Sequence, residues 1–556
     1  VTDVQQQETA PGEYSHQQIL SILTGLMAGM LLAALDQTIV GTAIRTISDD
    51  LSGLSIQAWV TTAYLITSTI STPIYGKLGD LFGRKSLFSF AITIFVIGSV
   101  LCTFSTSMYE LAAFRAVQGI GAGGLFTLAI AILGDIVAPR ERAKYTGYMM
   151  AVFATSSVVG PIIGGLFAQA DTIFGIAGWR WIFLINAPIG AIALVVVSRT
   201  LHLHHVRRQA RIDWWGAVLL VVALVPLLTV AEQGRVWGWG SDRSLACFAI
   251  GAAGVLGFVY AEHRMGRDAL IPLAIFKIRA AAVTIVGSVV VGVAMFGGMT
   301  VLPQYMQIVH GASPMTSGLM MLPLVLGMMS ASMTSGIIVS KTGRVREFPI
   351  IGVAVMSVGL FLLSTISADT HLWLVMVFML ITGLGLGNCM QPLMLIVQNA
   401  VPPQAIGVAT SSATFFRQIG GTIGVAVFLS VLFSTVGDNI KTAFGAAAQT
   451  PEFQSALTDP KVLANPDNAA VAHAMTGGSS GVLQGVQDDS SIINRLADVF
   501  AHPFKAGFAE SMDVVFLAAG CVGVLGFLVL LLMPKVTLRN QSASAAARDA
   551  AVAAAE

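Results

Sequence analysis

Charge is scarce in this chain. Asp, Glu, Lys and Arg make up only 11% of its 556 residues, against 55% hydrophobic residues, and the mean hydropathy is +0.79. A water-soluble fold of that composition would expose apolar surface far beyond what a soluble monomer tolerates, so a polytopic membrane protein is expected. The net charge of +1 decides little, because in such a protein the position of each charge matters more than their sum. Cysteine is scarcer still. The four, Cys102, Cys247, Cys389 and Cys521, all lie in apolar runs without a Cys-x-x-Cys neighbour, which excludes a zinc site or a disulfide framework as the organising element. No Gly-x-x-x-x-Gly-Lys-Ser/Thr string occurs, which argues against ATP as the energy source. No catalytic residue, cofactor, metal or nucleic-acid partner is expected.

What the chain has is long apolar runs. About 20 such residues cross a hydrocarbon core as a helix, and the sequence supplies fourteen candidate spans, the second at 57–76 and the last two at 405–434 and 512–533. A nine-residue pattern is written twice, as Gly-Lys-Leu-Gly-Asp-Leu-Phe-Gly-Arg at 76–84 and Gly-Ile-Ile-Val-Ser-Lys-Thr-Gly-Arg at 336–344, after the second and tenth spans. Two halves of one membrane protein repeat each other, as in carriers built from two rocking bundles. The expected organisation is an N-terminal segment 1–19, a six-helix bundle 20–199, linkers with two inserted helices 200–280, a second six-helix bundle 281–533 and a tail 534–556. The even-to-odd connections hold most of the 30 basic residues, which places both termini in the cytoplasm. Residues 1–17 have no basic leader region, so no cleaved signal is expected.

Residues 435–511 form one long outer connection rich in Ala, Gly, Ser, Asn and Asp, with Pro451, Pro460 and Pro466 as breakers; most of it is expected to be mobile. Within it, Ile492, Ile493, Leu496, Val499 and Phe500 recur at helical spacing, which predicts a short amphipathic helix over 489–502. The tail 541–556 is Ala-rich and expected to fray.

Charge inside apolar helices is costly unless paired or hydrated, so it marks function. Three such residues stand out: Asp36 in the first span, Arg115 in the fourth and Arg417 in the thirteenth. Asp36 and Arg115 fall at similar depth, roughly 8–12 Å below the outer surface at about 1.5 Å per residue. They can meet. A carboxylate exchanging a proton beside a guanidinium would be a coupling device; a permanent structural ion pair is the alternative. In the repeated loop, Gly76 and Gly83 allow a tight turn, Asp80 can cap the next helix and bind an arginine, and Arg84 with Lys85 anchors the cytoplasmic surface. The second copy keeps Gly343 and Arg344 but has Ser340 in place of Asp80, so its charge lock is weaker. Ser156, Gly160, Pro161, Gly164 and Gly165 give the fifth span a small-residue stripe and a bend, suited to a seal or hinge between bundles. Gln304, Tyr305, Gln307, Asn388 and Gln391 are polar groups in apolar settings, satisfied either by a central cavity, with Arg417, or by interhelical hydrogen bonds. His202, His204 and His205 stand beside arginines and read as a hydrated anchor rather than a metal site.

Together these strings resemble the major facilitator superfamily, and within it the fourteen-helix drug:proton antiporter branch. The resemblance is carried by Leu-Asp-Gln-Thr-Ile-Val-Gly-Thr-Ala at 35–43, Gly-Lys-Leu-Gly-Asp-Leu-Phe-Gly-Arg-Lys at 76–85 and Arg-Ala-Val-Gln-Gly-Ile-Gly-Ala at 115–122. Gly-Pro-Ile-Ile-Gly-Gly at 160–165 and Trp-Arg-Trp-Ile-Phe-Leu-Ile-Asn-Ala-Pro-Ile-Gly at 179–190 complete it. It implies an all-α major facilitator fold of 6 + 2 + 6 helices in a bacterial cytoplasmic membrane. It also implies proton-coupled efflux, with Asp36 carrying the proton and Arg115 coupling it; the expected cargo is an amphipathic, cationic or neutral organic compound, and since each chain holds both halves, a monomer is expected to suffice. The sequence departs from the pattern at Arg45 and Ser156, and the tenth span lacks the acidic residue some dication exporters use. Two other readings stay open: a lipid or metabolite exporter handing cargo to an extracytoplasmic partner, and a membrane receptor or scaffold without transport.

Overall fold

A computed structural model describes residues 14–51, 57–201, 213–402, 405–475 and 490–538, and they are overwhelmingly helical. In a bilayer the backbone must satisfy its own polar groups, and helices do so within one segment. The N-terminal half holds helices at His16–Asp50, Gln57–Phe82, Arg84–Thr103, Met108–Ile136 and Pro139–Gln169, then a sixth interrupted at Ile185 into Arg180–Leu184 and Asn186–Thr200. The seventh and eighth are Trp214–Trp237 and Asp242–Met265. The second half has the ninth, Arg279–Ile308; a tenth split into Pro314–Met320 and Leu322–Thr342; and the eleventh to fourteenth, Glu347–Leu363, Leu372–Ala400, Ile406–Ala447 and Asp498–Leu531. Each of the fourteen expected spans overlaps one of these rods. By length and composition, 12 stretches of the described residues can cross a membrane. Glu347–Leu363 is apolar but shorter, and the Thr and Ser run of Gln57–Phe82 dilutes its hydropathy.

The halves keep separate cores. Leu26, Phe88, Phe95 and Leu125 anchor one cluster in the first half, and Met356, Leu386, Phe428 and Phe516 anchor another in the second. They meet along a seam where the second helix packs on the thirteenth and the fifth on the tenth. The seventh and eighth helices pair closely, since a Cβ at Gly254 would press on the backbone of Ala223. The seventh also lies against both the second and the thirteenth, and Leu220 and Leu224 share one cluster with Ile66, Ile70 and Phe415.

The outer connection differs from expectation. The thirteenth helix runs on to Ala447, short helices follow at Pro451–Ala456, Pro460–Leu463 and Pro466–Met475, and the fourteenth begins at Asp498 rather than 512. The prolines start helices instead of breaking them, because the first helical position needs no N–H donor; Thr450 and Asp459 cap two of these starts. Within the stretch expected as one amphipathic helix, Ser490–Arg495 is a 3-10 turn, and residues from 498 belong to the fourteenth helix. Phe453, Val471, Ile493 and Phe500 are buried in the second-half core, which holds the connection on the bundle. A two-residue hairpin pairs Thr172–Ile173 with Ile176–Ala177; its turn residues Phe174 and Gly175 have φ of 50° and 80°, the sign a tight hairpin demands. The tail from 539, residues 1–13 and the histidines at 202, 204 and 205 lie outside the described residues.

Glycine sets the helix spacing, and its removal is testable. A Cβ at Gly383 would run into the Leu324 carbonyl, whereas Gly165 has nothing within 4 Å. Gly383→Leu is expected to destabilise the protein by about 2 kcal/mol or more through overpacking, read as a lowered Tm in detergent. Gly165→Leu should leave the Tm nearly unchanged.

Candidate functional site

Asp36 and Arg115 do meet. Arg115 Nη1 lies 2.5 Å from Asp36 Oδ2, with side-chain exposures of 1% and 0%. The carboxylate is held from its other side as well: Gln118 Nε2 donates to Asp36 Oδ1 at 2.8 Å and Asn186 Nδ2 at 2.9 Å. Both amides also reach the Ser99 hydroxyl, at 2.6 and 3.3 Å. Arg115 donates further to Gln118 Oε1 at 2.6 Å and to the Val60 carbonyl at 3.4 Å. Its guanidinium carbon stands 4.1 Å from the centre of the Tyr64 ring. Five helices therefore contribute to one neutral, fully buried cluster. Its chemical consequence lies in the spare partners. If Asp36 takes up a proton, the guanidinium still has Gln118, Val60 and the face of Tyr64 to support its charge.

Sequence reasoning found the two charges and missed Gln118, Asn186, Ser99 and Tyr64. Gln118 stands one turn after Arg115, on the same helix face. Asn186 follows the interruption of the sixth helix at Ile185. Both lie in strings already noted for other reasons, but an amide in an apolar run carries no charge to draw attention.

At the other end of the bundle the repeated loop joins the halves. Arg84 pairs with Asp80 at 2.9 Å and with Asp135 at 3.0 Å. Asp80 Oδ2 accepts from the Val408 backbone N–H at 3.1 Å, in the first turn of the thirteenth helix. The free N–H groups and positive dipole end of a helix favour a carboxylate there. The expectation that Asp80 caps the next helix is thus corrected: the third helix has Gly83 at its N-cap position and no side-chain cap, and Asp80 serves the opposite half instead. Gly83 has a φ of 94°, a region that favours glycine. A Cβ at Gly407 would strike the Asp80 carboxylate, and one at Gly76 would strike Ser411, so both glycines allow the approach. Lys85 Nζ donates to the Ser198 carbonyl at 2.9 Å, tying the loop to the sixth helix. A second bridge was not foreseen. Arg142 donates to Gln398 of the twelfth helix and to the Gly134 and Val137 carbonyls, while Gln398 Nε2 donates to Thr410 Oγ1 at 2.8 Å.

The second copy of the loop is built differently. Gly343 ends its helix with a φ of 71°, and the Ser340 hydroxyl donates to the Ile337 carbonyl of its own helix at 2.8 Å. Arg344 forms an isolated bridge with Thr537 of the C-terminal segment.

The fifth-helix stripe faces the first helix beside Asp36. Thr38 Oγ1 donates to the Ser156 carbonyl at 3.0 Å; a Cβ at Gly160 would collide with Thr38, and one at Gly164 with Thr42. On another side, Pro161 touches the tenth helix at Gly318. Of the expected cavity residues, Tyr305 is corrected: its ring is buried in the second-half core and its hydroxyl donates to the Ser367 carbonyl at 2.9 Å. Gln391 is buried and accepts from Ser332 at 3.2 Å. Asn388 donates to the Leu384 carbonyl at 2.9 Å, and Gln307 to Ser317 at 3.1 Å. Gln304 and Arg417 are half-buried.

Two pseudo-equivalent bundles with a buried charge pair in one and a charged clasp across their seam are the parts of a carrier. The family model of the Major Facilitator Superfamily matches residues 26–425. The chain belongs to that superfamily. It is 36% identical to an uncharacterised MFS-type transporter of Mycobacterium tuberculosis over 521 residues, 93% of this chain and 70% of the relative. It is 36% identical to the multidrug transporter protein MdtP of Bacillus subtilis over 418 residues, 75% of this chain and 76% of the relative. Multidrug resistance protein 3 of Bacillus subtilis is 32% identical over 526 residues, 93% of this chain and 96% of that one. Among solved structures, the proton:xylose symporter XylE aligns with a TM-score of 0.59 over 96% of this chain and all of its own, at 15% identity. That likeness shows the major facilitator fold.

The asymmetry of the two loops generates an expectation. Asp80→Asn and Arg84→Ala should open the seam at the Asp80 end. Each removes a charge-assisted contact of about 1.5–3 kcal/mol, which moves a two-state balance roughly tenfold or more. Ser340→Ala should move it far less. Labelling of cysteines introduced along the second and thirteenth helices measures this, and equal opening in Asp80→Asn and Ser340→Ala would show the two loops to be mechanically alike.

Proposed function

We propose that this chain is a proton-coupled exporter of amphipathic organic compounds, acting in a bacterial cytoplasmic membrane with both termini in the cytoplasm. The observation that carries the reading is the sealed Asp36–Arg115 cluster, a titratable pair in the membrane interior whose cation keeps other partners when the carboxylate is neutralised. The names of the two Bacillus relatives support export of drugs as the direction and cargo. A receptor or scaffold has no use for such a pair in lipid.

The cycle follows from the contacts. With Asp80 seated on the thirteenth helix, the cytoplasmic end is clasped and the outer end is the side free to open. Protonation of Asp36 from outside loosens its bonds to Gln118, Asn186 and Arg115, links five helices to the proton, and favours rearrangement toward the cytoplasm. There the proton leaves and substrate enters. The fifth helix transmits the change, since Thr38, two residues from Asp36, donates to Ser156 and the same helix touches the second half at Gly318.

Reconstituted protein with an imposed pH gradient tests this. Wild type should accumulate a lipophilic dye against its gradient and lose that capacity with a protonophore, while Asp36→Asn, close in shape, should remain folded yet fail to respond to the gradient. Full gradient-driven transport by Asp36→Asn would remove this residue from the mechanism. Arg115→Gln takes away the charge paired with Asp36 and should abolish gradient-driven accumulation. Arg115→Lys should restore it in part, since lysine keeps the charge without the planar fork.

A further inference from the structure

Among the described residues Arg417, on the thirteenth helix that lines the seam of the two halves, is a guanidinium without a partner, and we propose that it binds the acid group of the transported compound, a carboxylate or sulfonate on an amphipathic organic anion. The inference rests on the exporter reading and narrows its substrate class.

Depth comes first. Counting from Ile406 at about 1.5 Å per residue, Arg417 lies roughly 16 Å along the thirteenth helix, near the middle of a hydrocarbon core about 30 Å thick. Its bearing follows from the neighbours. Ile423 and Val427 are 44% and 48% exposed and mark the outward face of this helix. At about 100° per residue, Arg417 stands roughly 120° from Ile423 and roughly 80° from Val427, turned off that face toward the packed side of the helix. On one flank Gly420 and Gly424 press on Val289 and Val293 of the ninth helix. On the other, Gln418 Oε1 accepts from the Thr72 hydroxyl of the second helix at 3.3 Å. Arg417 stands on the ninth-helix side of this helix, where a Cβ at Gly292 would strike its carbonyl oxygen and Gly421, roughly 40° away, presses on Phe296; Gln418, roughly 100° away, carries the contact with the first half. Arg417 is half-buried there. Thr414, one turn earlier, has a buried hydroxyl with no hydrogen-bond partner.

No anion among the described residues answers this charge. Among the described residues no ion pair or hydrogen bond reaches the Arg417 guanidinium. Asp36, the carboxylate of the membrane interior, is closed off by Arg115, Gln118 and Asn186. Lipid phosphates lie about 15 Å away on either side of the bilayer centre. An isolated guanidinium at that depth is unfavourable, and its planar fork suits a carboxylate or sulfonate bound in two places. A cationic compound, by contrast, would meet repulsion and find no unpaired carboxylate at that depth among the described residues. Of the cationic or neutral cargo expected from the sequence, the cationic is therefore the weaker match.

Two probes with one ring skeleton decide the matter: anilinonaphthalene sulfonate, an anion, and phenylnaphthylamine, its neutral counterpart. Equilibrium dialysis against the solubilised full chain should show Arg417→Gln losing about tenfold or more in affinity for the sulfonate, the loss expected of a charge-assisted hydrogen bond, with the neutral probe unchanged. Equal loss of both probes, or unchanged sulfonate binding, overturns the assignment. A measurement on wild type alone guards against a variant that does not fold: naphthoate should displace the sulfonate and tetraphenylphosphonium should not, and displacement by the cation with equal potency overturns it too. In proteoliposomes with a pH gradient, transport of neither probe counts against the exporter reading. Transport of the neutral probe and the cation with exclusion of the sulfonate counts against this inference only.

Discussion

The buried contact between Asp36 and Arg115 constrains much of the first half. Two charges removed from water lose hydration that their mutual attraction restores only when the remaining lone pairs and protons are also bonded, and the half is shaped to meet that condition. Gly98 lets the third helix come so close to the fourth that a Cβ would strike the Gln118 backbone, and Gly119 does the same toward Tyr64. These close approaches bring Ser99, Gln118 and Tyr64 to the pair. Asn186 arrives from the sixth helix beside the interruption at Ile185. Small residues, a helix break and two amides are thus parts of one solution to a single electrostatic problem.

The second half has no comparable cluster among the described residues. Its core is apolar, and Arg417 has no partner among the described residues. The halves are alike in helix count and unlike in where they hold charge, which divides the labour: one closes on its own ion pair, the other leaves a charge for something that is not part of the protein. The two loop copies differ as well. The first places the Asp80 carboxylate on the helix start of the opposite half, whereas the second pairs the backbone at Arg344 with that at Thr537 of the C-terminal segment.

Much of this was legible beforehand, for definite reasons. A span announces itself by length and apolarity, and a charge in it by its rarity, so the helices and the pair at Asp36 and Arg115 could be read directly. What was missed depends on partners far apart in sequence. Gln398 and Arg142 are ordinary polar residues near helix ends until folding sets one half against the other, and Asp135 is one until the fourth helix meets the third. The target of Asp80, 328 residues away at Val408, leaves no trace in local spacing. Proline misled for a different reason: at Pro451, Pro460 and Pro466 the same missing N–H that breaks a helix interior costs nothing at a helix start, and only the Thr or Asp just before two of them hinted at the choice. Tyr305 misled because an apolar neighbourhood looks the same around a core hydroxyl bonded to a carbonyl as around one that faces a cavity.

The inserted helices show how the seam limits motion. Leu220 and Leu224 of the seventh helix are packed with Ile66 and Ile70 of the first half and Phe415 of the second in one apolar cluster. Nearby, Lys77 of the repeated loop is buried within the electrostatic reach of Asp80 and of Asp213, Glu262 and Asp268 from the inserted region. The pair touches both halves where Asp80 joins them. Separating the second helix from the thirteenth must therefore break more than the Asp80 contact, since it also divides the apolar cluster or moves the insert with one half. Hydrophobic contact is non-directional and yields gradually with area, while the bond from Val408 to Asp80 is short and oriented. The clasp accordingly defines the closed state, and the insert sets how the halves can leave it.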